Sequence, residues 1–399
     1  MGITHGKEAR VTRRICVITG SRADYGHLQP VMAAIAAEPA LILQVLVCGQ
    51  HLDPRFGDTW KEVAREFTID AKVSVPLRDD SNLAVAEATG AILTGVAREL
   101  ARLKPDIVMV LGDRYEILAA GTAALLLNIP IAHLHGGEIT EGAMDDAMRH
   151  ALSKMAALHF VAAQPYRARL LNMGETPDRV IVSGTPGLDN IDAAPNVSPQ
   201  AIVKELGLDA AKHLFLITYH PVTLTADAGL TGVDALLKVL GGYEDTVMIF
   251  TGINSDPGHA ALRERVAAFV AGDPRRRVAV QSLGHRRYRG LMKASTAVIG
   301  NSSSGLIEAP AFRVPSVNIG DRQKGRLRSS SVIDCGDDAP SIRAAILRAL
   351  DPAFRTAIAA QHPAYGGGGA AQKIVAALRD TPLTQLSTKR FHDIIPSPS

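Results

Sequence analysis

Residues 106–138 read DIVMVLGDRYEILAAGTAALLLNIPIAHLHGGE, a strand, a helix and a second strand in one run. Asp106 to Leu111 is a short continuous apolar segment closed by Gly112, and Lys104-Pro105 stops the helix before it. The apolar segment from Ile117 to Leu134 is broken by Asn128, Pro130 and His133. It therefore divides into a short helix and a strand over Ile129 to His135, and it is not a membrane span. Strands that are apolar throughout are buried on both faces, which is the condition of a parallel sheet covered by helices above and below.

The same cycle extends in both directions. Upstream, Ile15 to Thr19 and Leu41 to Cys48 are strands, with a helix near Leu28 to Ala37 between them. Ser81 caps a helix on which Val85, Ile92, Val96, Leu100 and Leu103 recur at helical steps. Downstream, Leu158 to Ala163 and Val180 to Ser183 continue the series. Around Asp189 to Pro199 the pattern lapses into Asp, Asn, Pro and Ser, which reads as a linker. A second series follows, with strands at 214–219, 247–251, 277–281, 297–300, 315–319 and 332–335.

The expectation is an α/β chain of two doubly wound domains, residues 14–190 and 200–380, with the active site in the cleft where strand C-termini face each other. Residues 1–13 read as a disordered lead-in and 381–399 as a weakly structured tail. The helix Ala370 to Leu378, after glycines 366–369, could pack on either domain.

Composition narrows the function. A chain of 399 residues exceeds one comfortable core. Lys plus Arg (43) nearly balances Asp plus Glu (40), and aromatics are 4%, so neither charge nor stacking points to nucleic acid. Cys16, Cys48 and Cys335 have no metal spacing and form no disulfide framework, so a reducing, cytoplasmic setting is expected. The first ten residues lack the apolar core of a secretory signal.

Polar residues gather just after strand ends. Gly20-Ser-Arg-Ala-Asp-Tyr-Gly26 lacks the dinucleotide and P-loop patterns; its Arg22 and Asp24 either face a ligand or tie turn to helix. Gly112-Asp113-Arg114-Tyr115-Glu116 places three charged groups at the mouth of an apolar helix, a costly arrangement without a task or partners. In His133-Leu-His135-Gly-Gly-Glu138, period two sends both histidines to one side, and the glycines allow close backbone approach. Two histidines and an acid invite zinc, but no further ligand stands at helical spacing and no metal is expected. In Asp145-Asp146-Ala-Met-Arg149-His150, Asp145 faces Arg149 and Asp146 faces His150 along one helix. Close carboxylates push their titrations apart, which supplies an acid and a base at neutral pH.

In the second half, Tyr219-His220-Pro221 ends a strand, and Gly252-Ile-Asn254-Ser-Asp256 follows the next. Asn301-Ser302-Ser303-Ser304-Gly305 opens a helix carrying Glu308. Free N–H groups and hydroxyls there suit a diphosphate, with an acid one turn in to hold a ribose diol; plain N-capping is the competing reading. Arg313, Arg322 and Arg326 add positive charge in nearby loops.

Taken in order, Ser-Arg-Ala-Asp-Tyr-Gly (21–26), Gly-Asp-Arg-Tyr-Glu (112–116), His-Leu-His-Gly-Gly-Glu (133–138), the segment 140–150, Tyr-His-Pro (219–221) and Asn-Ser-Ser-Ser-Gly-Leu-Ile-Glu (301–308) strongly resemble the hydrolysing UDP-N-acetylglucosamine 2-epimerases of sialic and related nonulosonic acid synthesis. The resemblance runs from about Arg14 to about Leu378. It implies a fold like the GT-B glycosyltransferases, two Rossmann-like domains with a UDP-sugar between them, no cofactor and no metal, and a homodimer or homotetramer. Carried over position by position, Arg22, Arg114, His220, Asn254, Ser302, Ser303, Glu308 and Arg322 correspond to nucleotide and diphosphate contacts, a set that Asp24 and Asn301 join. Asp113, His133, Asp145, Asp146 and Arg149 correspond to the sugar-side acid/base set. Some relatives carry an acid where this chain has His135, so the base falls among His135, Glu138 and Asp145. Where relatives place a lysine after the Asn254 position, this chain has Asp256, Gly258 and His259.

The implied reaction sets its own demands. The sugar's C2 proton has no adjacent carbonyl, so it becomes acidic only as the C1–oxygen bond lengthens. Elimination of UDP gives a 2-acetamidoglycal, to which water adds at C1 while a proton reaches C2 from the opposite face. Two acid/base groups on opposite ring faces are therefore needed, with cations to stabilise the leaving diphosphate. A non-hydrolysing epimerase, a glycosyltransferase and a nucleotide-sugar sensor are the rivals on the same architecture.

Overall fold

A computed structural model of the chain describes residues 12–393 except 76, 142, 190, 192–197, 223–226, 254, 255, 257 and 362. Among them the apolar runs form two parallel sheets. The first contains β1 (Arg13–Thr19), β2 (Leu41–Cys48), β3 (Ala71–Val73), β4 (Ile107–Leu111), β5 (Ile131–Leu134), β6 (Leu158–Val161) and β7 (Val180–Val182), in the order β3-β2-β1-β4-β5-β6-β7. The second contains β8 (His213–Thr218), β9 (Thr246–Thr251), β10 (Arg277–Val280), β11 (Ala297–Gly300), β12 (Ser316–Ile319) and β13 (Val332–Cys335), in the order β10-β9-β8-β11-β12-β13. Both are Rossmann-like windings, and the pair has the GT-B-like arrangement. Strand order reverses between β1 and β4 and again between β8 and β11, and crevices at such reversals are where α/β sheets bind ligands.

Side-chain alternation explains why the strands look apolar throughout. Ile15, Val17, Val45 and Val47 enter one core, with Leu28, Val31, Met32 and Ile35 of the helix Arg22–Ala37. Cys16, Ile18, Leu46 and Cys48 enter the opposite core, under the helices Asn82–Leu103 and Tyr115–Leu126. The second sheet repeats this, with Phe215 and Ile217 on one face and Leu216 on the other.

Three differences from the sequence expectation have physical causes. Strand β3 is three residues long at a sheet edge, too short to leave an apolar signature. The first helix begins at Arg22, a turn and a half before Leu28, because Ser21 and Asp24 close a capping box at its start. The helix Ala370–Asp380, inside the expected span 200–380 but left open to pack on either domain, packs on the first sheet: Ala370, Ile374, Val375 and Leu378 lie in the β1 core. Asp189 anchors its start, accepting from the N–H groups of Ala370 (2.9 Å) and Ala371 (2.6 Å).

The expected weak structure after residue 380 is also corrected. The short helix Leu383–Leu386 buries Leu386 in the first core, and Lys389 and His392 bond back onto that domain. Of the expected linker, Asp189 is buried, whereas 190 and 192–197 lie outside the described residues. Among the described residues no helix is long and apolar enough to cross a membrane.

Candidate active site

The turns after β1, β4 and β5 of the first sheet face those after β8 and β11 of the second, and two adjoining hollows open between them. The hollows share Ala23, His27, His220, Ser302 and Ser303. One is lined by Asp113, His135, Glu138, Asp145 and Arg149; the other by Arg22, Tyr288, Arg289, Ser304 and Glu308. An acid-rich end and a polar helix-start end therefore belong to one cleft.

The acid-rich end is held by arginines. Arg149, only 1% exposed, pairs with Asp113 and donates from Nη2 to Thr140 Oγ1 at 2.8 Å. Asp146, which does not line the hollow, accepts from the Thr140 N–H at 2.6 Å and lies 3.6 Å from Arg149 and 3.5 Å from His150. It braces the turn that braces Arg149.

The two histidines diverge, against the expectation that period two aligns them. His133 is fully buried in β5 and absent from the cleft wall. Its Nε2–H donates to the Gly112 carbonyl at 2.7 Å and Ser153 Oγ donates to Nδ1 at 3.3 Å. Burial draws its pKa down to about 3, so the ring is neutral. His133 therefore props the Asp113 turn from behind. His135 has φ +63°, a left-handed conformation that ends the alternation and turns its ring into the cleft. Its Nδ1–H donates to Glu138 Oε1 at 2.6 Å, and its buried Nε2 has no hydrogen-bond partner among the described residues. Burial alone would raise Glu138, but Arg326 (3.5 Å) and His135 outweigh it and hold the carboxyl below its usual range. A carboxylate bonded to Nδ1 in this way fixes the orientation of the imidazole in the cleft wall.

Asp145 behaves oppositely. Burial and the nearby Asp256 carboxylate, opposed by Arg322, push its pKa up to about 6. Arg322 Nη2 stands 3.8 Å from it. The site thus holds one acid below the ordinary carboxyl range and one raised toward neutrality, the separation that acid/base work requires.

At the other end the bland readings partly prevail. Asp24 is occupied by the capping box, accepting from the N–H groups of Gly20 (2.8 Å) and Ser21 (2.9 Å). Asn301 clamps His220 rather than reaching outward: its Oδ1 accepts from the His220 N–H at 2.7 Å and its Nδ2 donates to the His220 carbonyl at 2.8 Å. Ser302 and Ser303 lie at the junction of the hollows, just before the helix Ser304–Ala311, and Tyr288 bonds Ser304 at 2.7 Å. Glu308 lies 3.8 Å from Arg289. Arg22 spans the cleft to the Gln281 carbonyl at 2.7 Å. Arg114 is shared between Glu116 (3.2 Å) and Asp256 (3.0 Å), the latter from the opposite lobe. Asn254 lies outside the described residues.

Sequence reading missed His27, Thr140, Tyr288, Arg289 and Gln323, and met Asp256 only as an unusual residue. His27 directly follows the segment 21–26 inside the first helix and was not singled out, yet its ring lies 5.4 Å from that of His135. Gln323 donates to the Asn301 carbonyl at 2.9 Å from a loop that carries no pattern. Thr140 opened the segment 140–150 but was not singled out in it, and Asp256 gave a signal of another kind, an acid where a cation was expected. Among the described residues no three His, Cys, Asp or Glu side chains are grouped to hold a metal ion.

The family model described as UDP-N-acetylglucosamine 2-epimerase matches residues 33–379. The chain is 38% identical over 322 residues to the GDP/UDP-N,N'-diacetylbacillosamine 2-epimerase (hydrolyzing) of Campylobacter jejuni, covering 81% of this chain and 84% of that protein. It is 34% identical over 373 residues to the UDP-N,N'-diacetylbacillosamine 2-epimerase (hydrolyzing) of Legionella pneumophila, covering 93% and 97%. The crystal structure of UDP-GlcNAc 2-epimerase from Neisseria meningitidis bound to UDP-GlcNAc is similar in fold, with a TM-score of 0.78 at 19% identity, covering 92% of this chain and all of that one.

Proposed function

The chain belongs to the UDP-N-acetylglucosamine 2-epimerase family, and from that premise we propose that it is a hydrolysing 2-epimerase, converting a UDP-2-acetamido sugar to UDP and the free C2-inverted sugar. One observation carries this reading. Asp113, the His135–Glu138 pair and Asp145 converge in the same cleft as the Ser302–Ser303 helix start, beside Arg322. The sugar ring then lies among the acids and the diphosphate against the serines and Arg322, with the nucleoside toward Tyr288 and Glu308.

In the first half-reaction a base on one ring face takes the C2 proton, the C1–oxygen bond breaks, and its electron pair leaves with UDP. The positive cleft wall and the polar Ser302–Ser303 helix start stabilise the departing charge. In the second half-reaction water adds its oxygen to C1, and the group on the opposite face delivers a proton to C2. The sum is one water consumed per sugar released. Asp113 and the His135–Glu138 and Asp145 cluster are the two proton-handling groups in this reading. Asp145, with its pKa raised to about 6, is suited to exchange a proton near neutrality.

Two sugars fit the reading. UDP-N-acetylglucosamine is the plain substrate of the class. The names of the Campylobacter and Legionella relatives favour UDP-2,4-diacetamido-2,4,6-trideoxyglucose, and also favour hydrolysis over reversible epimerisation. We place the enzyme in the cytoplasm, which the three free thiols support, and as a homodimer or homotetramer, which the exposed Leu126 supports.

The test is incubation of each nucleotide sugar in deuterated water, followed by NMR. Free sugar with inverted C2 carrying deuterium is expected. Deuterated nucleotide sugar without free sugar would identify the non-hydrolysing reaction, and free sugar retaining its original C2 hydrogen would overturn the elimination.

A further inference from the structure

The helix Asp145–Met155 presents Asp145 and Arg149 to the cleft from its first turns. Its far end meets the C-terminal strap. Lys389 Nζ lies within hydrogen-bond distance of the carbonyls of Ser153 (3.1 Å), Lys154 (2.7 Å) and Ala156 (2.8 Å). These are the carbonyls a helix leaves unpaired at its C-terminal end, where a cation also complements the helix dipole.

The ammonium group is held there by a second contact. Glu175, 2% exposed, takes Lys389 at 2.7 Å, Lys154 at 2.7 Å and His159 at 2.9 Å. The strap around Lys389 is itself anchored. Leu386 is buried in the first core, Arg179 Nη2 donates to the Gln385 carbonyl at 2.7 Å, and the His392 N–H donates to the Gly174 carbonyl at 2.9 Å. The same helix end continues toward the chemistry, since Ser153 bonds His133 and His133 bonds the Gly112 carbonyl, beside Asp113.

We propose that Lys389 is a positioning residue for the reaction: by capping the helix Asp145–Met155 from the C-terminal strap, it fixes the axial position of Asp145 and Arg149 and, through Ser153 and His133, the turn that carries Asp113. Lys389 touches no substrate. Its loss lets the helix end fray and the helix shift along its axis, and small displacements of reacting groups are costly in rate. The inference rests on the 2-epimerase reading for its kinetic consequence and on the contacts alone for its structural one.

Wild type, Lys389→Met and Lys389→Arg are compared in the full chain. For Lys389→Met the expected result is a kcat about ten-fold lower with KM within about two-fold, since ground-state contacts are untouched. Lys389→Arg, which keeps a cation for the same carbonyls, recovers most of that loss. Amide hydrogen exchange in Lys389→Met is expected to accelerate over residues 145–156 and not over the strands of the second sheet. Wild-type kcat with wild-type protection of this helix would overturn the proposal, as would a loss of protection spread evenly over both lobes. If wild type itself releases no free sugar, the 2-epimerase reading fails and the exchange pattern alone decides the role of Lys389.

Discussion

Asp113 and Asp145 share a cleft but differ in surroundings, so their replacements report different things. Asp113→Asn and Asp145→Asn are each expected to lower turnover by at least about 100-fold, the usual range for removing a positioned proton-transfer group. UDP binding measured by calorimetry should persist in both, because the serine and Arg322 wall is intact; near-normal rates in both would exclude these acids. The residue-level reading of the sequence was strongest where chemistry and position coincide. Asp113, His135, Glu138, Asp145 and Arg149 all line the cleft. It was weakest where a polar side chain serves the backbone. Nothing local distinguishes His133, bonded to the Gly112 carbonyl, from His135, whose side chain lines the hollow. That distinction depends on a positive φ at His135 and on partners over twenty residues away. Asp24, which lines the cleft while capping its own helix, and Asn301, which clamps His220, show the same ambiguity, since a capping carboxylate and a clamping amide look like binding groups in a linear sequence.

Among the elements, those that cross between distant parts of the chain carry the clearest stability consequences. Asp189 caps the helix Ala370–Asp380, so Asp189→Ala should lower unfolding stability by about 1–2 kcal/mol in urea titrations. The buried carboxylate of Glu175 sets a pH dependence of known sign. Burial opposes its ionisation, but His159, Lys154 and Lys389 overcome this and draw its pKa from 4.5 down to about 2. A depressed carboxyl stabilises the fold above its unfolded value, and that stabilisation fades as pH falls through the folded one. Glu175→Gln should therefore cost roughly 2–3 kcal/mol at pH 7, with the difference from wild type shrinking between pH 4.5 and 2 in thermal unfolding. Strands and helices with apolar periodicity were legible because each encodes its own burial. The three-residue β3 and the tail helix Leu383–Leu386 were not, since such short elements exist only against the surfaces they cover.

For the molecule as a whole, the lobes meet through polar contacts as well as packing. Arg114 pairs with Asp256 across the cleft, and Arg289 reaches the Gly26 carbonyl at 3.4 Å. An apolar cluster joins Val161, Tyr166 and Leu170 of the first lobe to Leu306 and Ile307 of the second. The electrostatics of the site are therefore assembled from both halves. Asp145, raised by burial and Asp256 and lowered by Arg322, Arg114 and Arg326, should titrate lower when the like charge is removed. Asp256→Asn is expected to move the limb near pH 6 in the kcat/KM profile toward acid by up to about one unit; an unmoved limb would show that the lobes do not share this titration. Two tandem windings, the cleft between strand ends and the family's ordered motifs were all written in the linear chain, because burial periodicity and strand-end polarity are local properties. The roles of individual side chains were not local. Which acids are held low or high, which histidine faces the hollow, and which terminal lysine steadies the acid-bearing helix depend on desolvation and on partners that only folding brings within hydrogen-bond distance.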